Sequence, residues 1–545
     1  MKNSFFKWLL IVLGTFTWSL TMVKSGLVGQ YGMGFWGPNG HDGIWHIALA
    51  ESLTRRSLEM PVFSGHMLQN YHIGFDLILA LISRLTSIPI LNVYFQLMPV
   101  VISLAVGILV YKFVFLWTKS EKAGLLSTFF VYFGGSLSWI LGKGESTFWS
   151  QQAVSTLINP PFALSLVIFL AGLISLFKKK KILSILFFGI LIAIKSYAGV
   201  LALGALFVSG IYEYLKNKNI FVIKVFLLST ILSLLLYLPL NKNSGDLLVW
   251  QPFWFLETMM GLSDRLGWER FYSAMINYKA SDNFIKGVPA YLVAFTIFWV
   301  GNMGTRLFKE FLIIKWIKDY KNITYLEVFV SAVIVAGGLI PMLFLQKGTP
   351  WNTIQFFYYS LFFSSILAGI AIYKMNKVII VLVCLFTLPT TFITLKQVYI
   401  PSRPPAKVSQ EELSALKYLS KLPEGVVLTY PFDELKSKEA ISNPPRPLYL
   451  YESTAYVSAF SGQKVFLEDQ VNLDITGYAW KERRIEVESW YKESNQKKAQ
   501  DFLKNNKIKY IYWIDGQRAL LGEGQLGLKQ VFENNNVKIY EVIIH

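Results

Sequence analysis

Long apolar runs alternate with polar connections from the start of the chain to about residue 400, on the length scale of a bilayer. A membrane is crossed by about 17–25 apolar residues in helical form. Eleven apolar runs lie near 5–23, 92–117, 123–140, 161–177, 182–194, 197–212, 222–240, 287–303, 325–344, 352–373 and 378–396. Lys195 divides the stretch 182–212 into two short halves. After Pro401-Ser402-Arg403-Pro404-Pro405 the runs end and charge rises.

The connections are of two kinds, and they alternate. Those at 112–122, 178–181, 216–224, 306–321 and 374–377 are short and basic. Those at 26–91, 141–161, 241–286 and 345–351 are long, mixed in charge and aromatic. Lys and Arg are retained on the cytoplasmic side, so the basic set faces the cytoplasm and the mixed set faces out. This parity requires the break at Lys195. It sets the N-terminus inside and, with eleven spans, the C-terminus outside. Residues 1–23 read as an uncleaved anchor, because no clear small-x-small cleavage site follows them.

Composition agrees with a membrane protein. Hydrophobic residues make up 53% and charged residues 16%, with mean hydropathy +0.43. Soluble domains carry about 25% charge. The net charge of +18 is spread over many loops, which suits anionic lipid headgroups better than nucleic acid. The one cysteine, Cys384, lies within the last span, so no internal disulfide can form. That fits a prokaryotic cell envelope somewhat better than an animal cell surface.

The fold class expected is therefore a polytopic α-helical membrane protein with a C-terminal extracytoplasmic α/β domain. The membrane domain covers 1–400, with outer loops 24–91 and 241–286. A Pro-rich spacer follows at 401–405, then a soluble domain at 406–545. In that tail 409–421, 481–491 and 497–505 have helical pattern. Residues 425–430, 509–513 and 537–544 read as strands, and 455–466 as strand, Gly turn, strand. Core packing accounts for most of the tail's aromatics, with glycan binding as the other reading, and no motif there carries chemistry.

The chemistry concentrates in the first outer loop. Gly40-His41-Asp42-Gly43-Ile44-Trp45-His46 leads into an apolar stripe at 45, 49 and 53, the spacing of an amphipathic helix lying in the interface. Asp42 suits an N-cap, which is the plain reading of it. Asn70-Tyr71-His72-Ile73-Gly74-Phe75-Asp76 opens a second short helix, with Asp76 either on its wet side or reactive. Four of the five histidines, His41, His46, His66 and His72, fall in this loop. A structural zinc site prefers Cys or tightly spaced ligands in closed geometry, so no metal ligand is assigned.

An Asp just after span one, two interfacial helices, the Asn-Tyr-His-x-Gly-x-Asp stretch and then span two resemble the GT-C superfamily of membrane glycosyltransferases. Protein mannosyltransferases, aminoarabinose transferases and oligosaccharyltransferases belong to it. Tyr71-His72-Ile73-Gly74 stands where a His-Pro-Pro-type signature is common. The resemblance implies transfer of a sugar from a polyprenyl-phosphate donor to a glycan, lipid or protein acceptor at the outer face. It implies no firm cofactor, although some members use a divalent cation such as Mg or Mn. A desolvated carboxylate serves as general base; Asp42 is the first choice, with Glu51 and Asp76 behind it. His41, His46 and His72 are then substrate-binding candidates.

A leaving phosphate needs cationic or N–H donors, and topology restricts these to outward residues. Lys195 is either functional or a snorkelling lysine. Lys347 lies on the same face. Arg265 and Arg270 read first as a solvated interfacial helix and second as phosphate ligands. Asn352 and Gln355, one turn apart, want a partner helix or a sugar hydroxyl. Trp149, Gln151, Gln152 and Asn159 are weaker candidates of the same kind. The other class of function open to this chain is a transporter or flippase of a lipid-linked glycan. Transporters show repeats and intramembrane charge pairs, whereas these runs are nearly free of acids.

Overall fold

The computed structural model describes residues 2–241 and 248–543. The part of the third outer loop at 242–247 and the end of the expected last strand at 544 lie outside the described residues. The chain gathers into two compact units, one of Met1–Thr21, Met98–Pro239 and Asn243–Ile400, the other of Met22–Leu97, Leu240–Lys242 and Pro401–His545. These units cut across the expected division. The first outer loop belongs with the tail, not with the membrane body.

Among the described residues of the body and its flanks, eight helices are long and apolar enough to cross a membrane. They are Ile90–Thr118, Glu121–Leu141, Pro160–Phe177, Ser196–Asn217, Phe284–Lys318, Tyr325–Leu343, Pro350–Ile372 and Lys377–Tyr399. Three shorter apolar helices, Ser4–Ser19, Lys181–Ile194 and Phe221–Tyr237, fall on the remaining apolar runs. The protein is thus a polytopic helical membrane protein.

Local chemistry sets the ends of these helices. Asn159 accepts from Phe162 N and is followed by Pro160 and Pro161 in the first turn, where a missing N–H costs nothing. Thr324 and Glu327 form a capping box. Lys195 is extended (φ −155°, ψ 112°) and separates two helices. Helices pack closely where side chains are small. A methyl at Gly369 would lie 2.2 Å from Ser127 N, and the Ser127 hydroxyl donates to Ile366 O at 2.7 Å.

The segment Phe284–Lys318 corrects one expectation. Residues 306–321 read as a basic cytoplasmic loop, yet Arg306 is 2% exposed. The chain bends at Gly304 (φ +51°), where a Cβ would meet Gly135 O at 2.3 Å. The bend turns Arg306 inward. Its guanidinium donates to Met303 O, Asn302 O and Gln152 Oε1.

The second unit joins first loop and tail through backbone pairing. One sheet runs in the order Val28–Gly29, Gly32–Phe35, Ala406–Val408, Arg446–Pro447. Gly32–Phe35 pairs antiparallel to Ala406–Val408, with Met33 opposite Val408. A second sheet, of tail strands only, runs Leu528–Glu533, Val537–Val542, Ile508–Ile514, Val426–Thr429, Lys464–Val465. The two pairings of Val426–Thr429 are parallel. Ser64 N donates to Val465 O and Val465 N to Pro61 O. The Pro-rich segment is no free spacer: Pro401 O accepts from Lys24 Nζ at 2.9 Å and Trp36 Nε1 at 2.8 Å.

Two further expectations change here. The helix Asp42–Thr54 is not an interfacial amphipath, because every residue from Gly43 to Ala50 is buried. It packs against Gly74–Thr86 and Tyr456–Ser461. Each of Ile44, Trp45 and Leu49, about 1% exposed or less, contributes on the order of 1.5–3 kcal/mol on burial. Residues 456–461 are helix, not strand. The Glu468 carboxylate accepts from Val457 N and Ser458 N, both at 3.1 Å, and so satisfies two N–H groups of that helix's first turn.

Candidate active site

The buried helix Asp42–Thr54 presents its N-terminus with His41 at the N-cap position and Asp42 as first helical residue. Asp42 is therefore not the cap. Its Oδ1 lies 2.9 Å from His41 Nδ1, and its side chain is 58% exposed. A carboxylate is favoured there by the helix dipole. Burial opposes the charge of His41, but the charge and hydrogen bond of Asp42, with Asp469 behind them, hold its pKa above the usual range; Arg446 acts against them.

Asp469 comes from the tail and is 2% exposed. It sits in the left-handed region (φ 51°, ψ 64°) at the cap of Gln470–Thr476. Its carboxylate accepts from Asn472 N at 3.1 Å and Asn472 Nδ2 at 2.8 Å. Burial pushes its pKa up to about 7; the Asn472 bonds and His41 pull down, and Asp42 pushes up. Glu468, next to it, is pushed up to about 8 by burial, with its two backbone hydrogen bonds pulling the other way. An exposed acid, a histidine above its usual range and two buried acids titrating near neutrality thus act on one another. Such pairs, with environments that separate their pKa values, mark acid–base sites.

Tyr451 closes one side of this group. Its ring stacks with His41 at 6.1 Å and lies 3.7 Å from the Arg446 guanidinium. Beyond it lies a small cavity of about 40 Å³, lined by Tyr430, Tyr449, Thr454, Glu468, Asp469 and Gln470 among others. Sequence reasoning passed over the acidic pair Glu468-Asp469, which follows the strand Lys464–Val465 after two residues.

The fallback acids go elsewhere. Asp76 is 0% exposed and not on a wet face. Its Oδ1 lies 2.7 Å from His46 Nδ1, within a wall formed by Tyr71, Phe75 and Tyr94. This buried pair fixes the two helices of the first loop to each other. Glu51 is raised by burial and lowered by Arg55. Nine residues of helix place it about 13 Å from Asp42 along the axis. His72 stacks on Tyr71 at 4.6 Å, and His66 packs on Phe63 at 4.8 Å. His46 and His72 both meet Tyr71, whereas His41 and His66 lie against other partners.

Among the described residues no group of three or more His, Cys, Asp or Glu is placed to hold a metal ion. His41 and Asp42 are engaged with each other, and Asp469 is engaged by Asn472. No step below runs through a divalent cation.

The membrane body has its own polar network. Lys195 is 6% exposed, too deep for snorkelling, and its Nζ lies 5.3 Å from the Tyr197 ring. Tyr197 donates to Gln346 Oε1 at 2.7 Å and meets Phe356 at 4.8 Å. Gln355 Oε1 accepts from Asn159 Nδ2 at 3.3 Å, and Gln355 Nε2 donates to Asn352 Oδ1 at 3.4 Å. Lys195, Asn159, Asn352 and Gln355 thus belong to neighbouring parts of one network, while Lys347 is exposed. Arg265 lies on the Trp149 ring at 4.3 Å and pairs with Asp264 at 3.2 Å; Arg270 is exposed. Arg306 is the cation that loop counting hid. It lines a second polar cavity with Gln151, Gln152, Ser155, Thr156 and Ser365.

No protein-family model matches the chain, and no curated protein matches it either. Solved structures do. The oligosaccharyltransferase AglB of Archaeoglobus fulgidus, in complex with an inhibitory peptide and a dolichol-phosphate, is 12% identical with a TM-score of 0.48, over 94% of this chain and 69% of that one. The apo form of the Archaeoglobus fulgidus enzyme gives 12% and 0.49, over 93% and 69%. The arabinofuranosyltransferase AftD from Mycobacteria gives 11% and 0.49, over 99% of this chain and 40% of that one. TM-scores below 0.5 at this identity transfer no chemistry, and what the site can do follows from its own residues.

Proposed function

We propose that this protein is an integral membrane glycosyltransferase that moves a sugar from a polyprenyl-phosphate carrier to an acceptor at the outer face of the membrane. The observation that carries the reading is the exposed Asp42 carboxylate, held by His41 and within electrostatic reach of the buried Asp469. Acceptor activation needs this arrangement. Asp42 takes the proton of the acceptor hydroxyl. The acceptor oxygen bonds to the anomeric carbon, and the bond from that carbon to the carrier's phosphate oxygen breaks. The electron pair leaves with the phosphate. His41 holds the base in place, and Asp469 carries a proton near neutrality, which limits repulsion between the two acids.

The carrier's phosphate is assigned to the buried Lys195 of the membrane body, with the Asn159, Asn352 and Gln355 amides for orientation. The positive-inside pattern supports eleven spans, a cytoplasmic N-terminus and an extracytoplasmic tail. A flippase would have to move its cargo intact.

The test uses purified full-length protein in lipid, a panel of polyprenyl-phosphate sugars, and carrier release as readout. Wild type consumes one donor; Asp42→Asn loses at least about 100-fold with an unchanged melting temperature, because Asp42 is largely exposed. Equal turnover by both would reject Asp42 as base. Movement of intact donor between leaflets without consumption would replace transferase by flippase.

A further inference from the structure

We infer that a groove in the membrane body binds one acyl chain of an anionic phospholipid, with the lipid's headgroup on lysines at the groove's end.

Two interrupted helices make the groove. Glu121–Phe133 stops before Gly134, and the chain resumes as the short turn Ser138–Leu141. Phe284–Met303 stops at Gly304. Both breaks fall at one level, since a Cβ on Gly304 would lie 2.3 Å from Gly135 O. Lys377–Thr387 runs past them, and all three segments line the space left between. Its volume is about 520 Å³, within the range of small-ligand sites, about 300–1,000 Å³. Trp139 and Phe386 meet across it at 6.4 Å.

The lining calls for hydrocarbon. Among the described residues its one hydroxyl, that of Thr305, is bonded to the Thr387 hydroxyl at 2.6 Å. Water finds too few polar partners here, and empty walls forfeit dispersion contacts. Ile140, Ile379, Leu382 and Phe386 are exposed, so the groove is open to the bilayer.

Length and charge select the lipid. Nine residues of helix separate Lys377 from Phe386, about 13 Å. That is near half of a hydrocarbon core of about 30 Å, the reach of one acyl chain in one leaflet. Exposed lysines stand at the end of both walls. Lys374 and Lys377 lie just before Ile379, and Lys315 and Lys318 end the helix that continues from Phe308. The acids of this stretch are engaged: Glu310 by Lys309, and Asp319 by Asn322 Nδ2 at 2.6 Å. Basic clusters at a membrane surface attract anionic headgroups. The positive-inside pattern puts these lysines at the cytoplasmic leaflet. A carrier whose sugar reacts at the outer face has its phosphate on the opposite side. The leaflet rests on the topology proposed above; the groove and its lysines do not.

The test uses full-length protein in detergent, stripped of co-purified lipid, with phosphatidylglycerol, phosphatidylcholine and a polyprenyl phosphate added in turn. Bound lipid is counted by native mass spectrometry, and stabilisation is read as melting temperature. Wild type retains a single phosphatidylglycerol, gains several degrees from it, and binds phosphatidylcholine about tenfold more weakly. Leu382→Trp fills the groove from its exposed side. Its melting temperature without lipid stays near wild type, and phosphatidylglycerol no longer raises it. Ile379→Trp supplies the same block should Leu382→Trp fail to fold. Lys374→Gln with Lys377→Gln leaves the groove open and brings the two phospholipids to equal affinity. Phosphatidylglycerol binding unchanged by the tryptophan block overturns the site. Equal binding of both phospholipids by wild type overturns the headgroup assignment. Preference for the polyprenyl phosphate gives the groove to the carrier and overturns the lipid class. No retained phospholipid overturns the inference. None of these readouts depends on glycosyl transfer.

Discussion

The two compact units bury charge of different sign. Among the described residues every buried lysine or arginine, Lys195, Arg306 and Lys309, lies in the membrane body. The loop–tail unit buries Asp76, Glu412, Glu468 and Asp469, with His46 as its one buried basic residue. The body also buries Glu213 and Glu257, but these are answered locally: Glu257 by Lys279 at 2.8 Å and Tyr291 at 2.6 Å, Glu213 by Asn217 and Asn219. A buried charge is expensive wherever it sits. Among the described residues both units therefore bury acids, but only the body buries lysine or arginine.

Arg306 gives the largest way to break this comparison. Three acceptors, Met303 O, Asn302 O and Gln152 Oε1, depend on its guanidinium. Arg306→Leu leaves them unpaired, at about 1–3 kcal/mol each. The expected outcome is a sharp fall in folded yield and melting temperature in detergent, partly recovered by Arg306→Lys. A variant as stable as wild type would show that the guanidinium is not structural.

Lys195 sharpens the comparison with a smaller effect. Lys195→Met keeps the length of the side chain and removes a buried charge, so the fold should hold. The KM for the donor rises about tenfold, with a lesser change in kcat, if the ammonium meets the carrier's phosphate. An unchanged KM with a higher melting temperature would mark Lys195 as a structural burden and not an anion ligand.

How much of this could be read from the sequence follows the length scale of each feature. The membrane helices were legible because an apolar run of bilayer length is a strong local signal. The joining of loop and tail was not: Gly32–Phe35 and Ala406–Val408 are strands of four and three residues, too short to leave a period. The same distant packing buries the helix at Asp42, whose stripe at 45, 49 and 53 reads equally well as an interfacial face. Asp42 and His41 stood out because they precede a helix in a histidine-rich loop. Their partner Asp469 did not, since an acid after a strand reads as a turn residue. Arg306 was masked by the rule that found the topology, which counts a basic residue after an apolar run as loop charge.

Asp469 gives the smallest and most selective test, because only the pH dependence should move. Its pKa is raised from the model-compound value of 3.8 to about 7 in the fold. Between those two values the native state holds a proton that the unfolded state has released. Stability therefore falls as pH rises across this window and levels off above it. Glu468, raised to about 8, extends the decline by one further step. Asp469→Asn keeps an acceptor oxygen for Asn472 N and has no proton to lose. Its melting temperature should match wild type at about pH 4 and exceed it by several degrees at about pH 8. An equal difference at both values would mean that Asp469 is already ionised in the fold at low pH. Asp42 would then face a second full negative charge, and the division of roles between the two acids would fail.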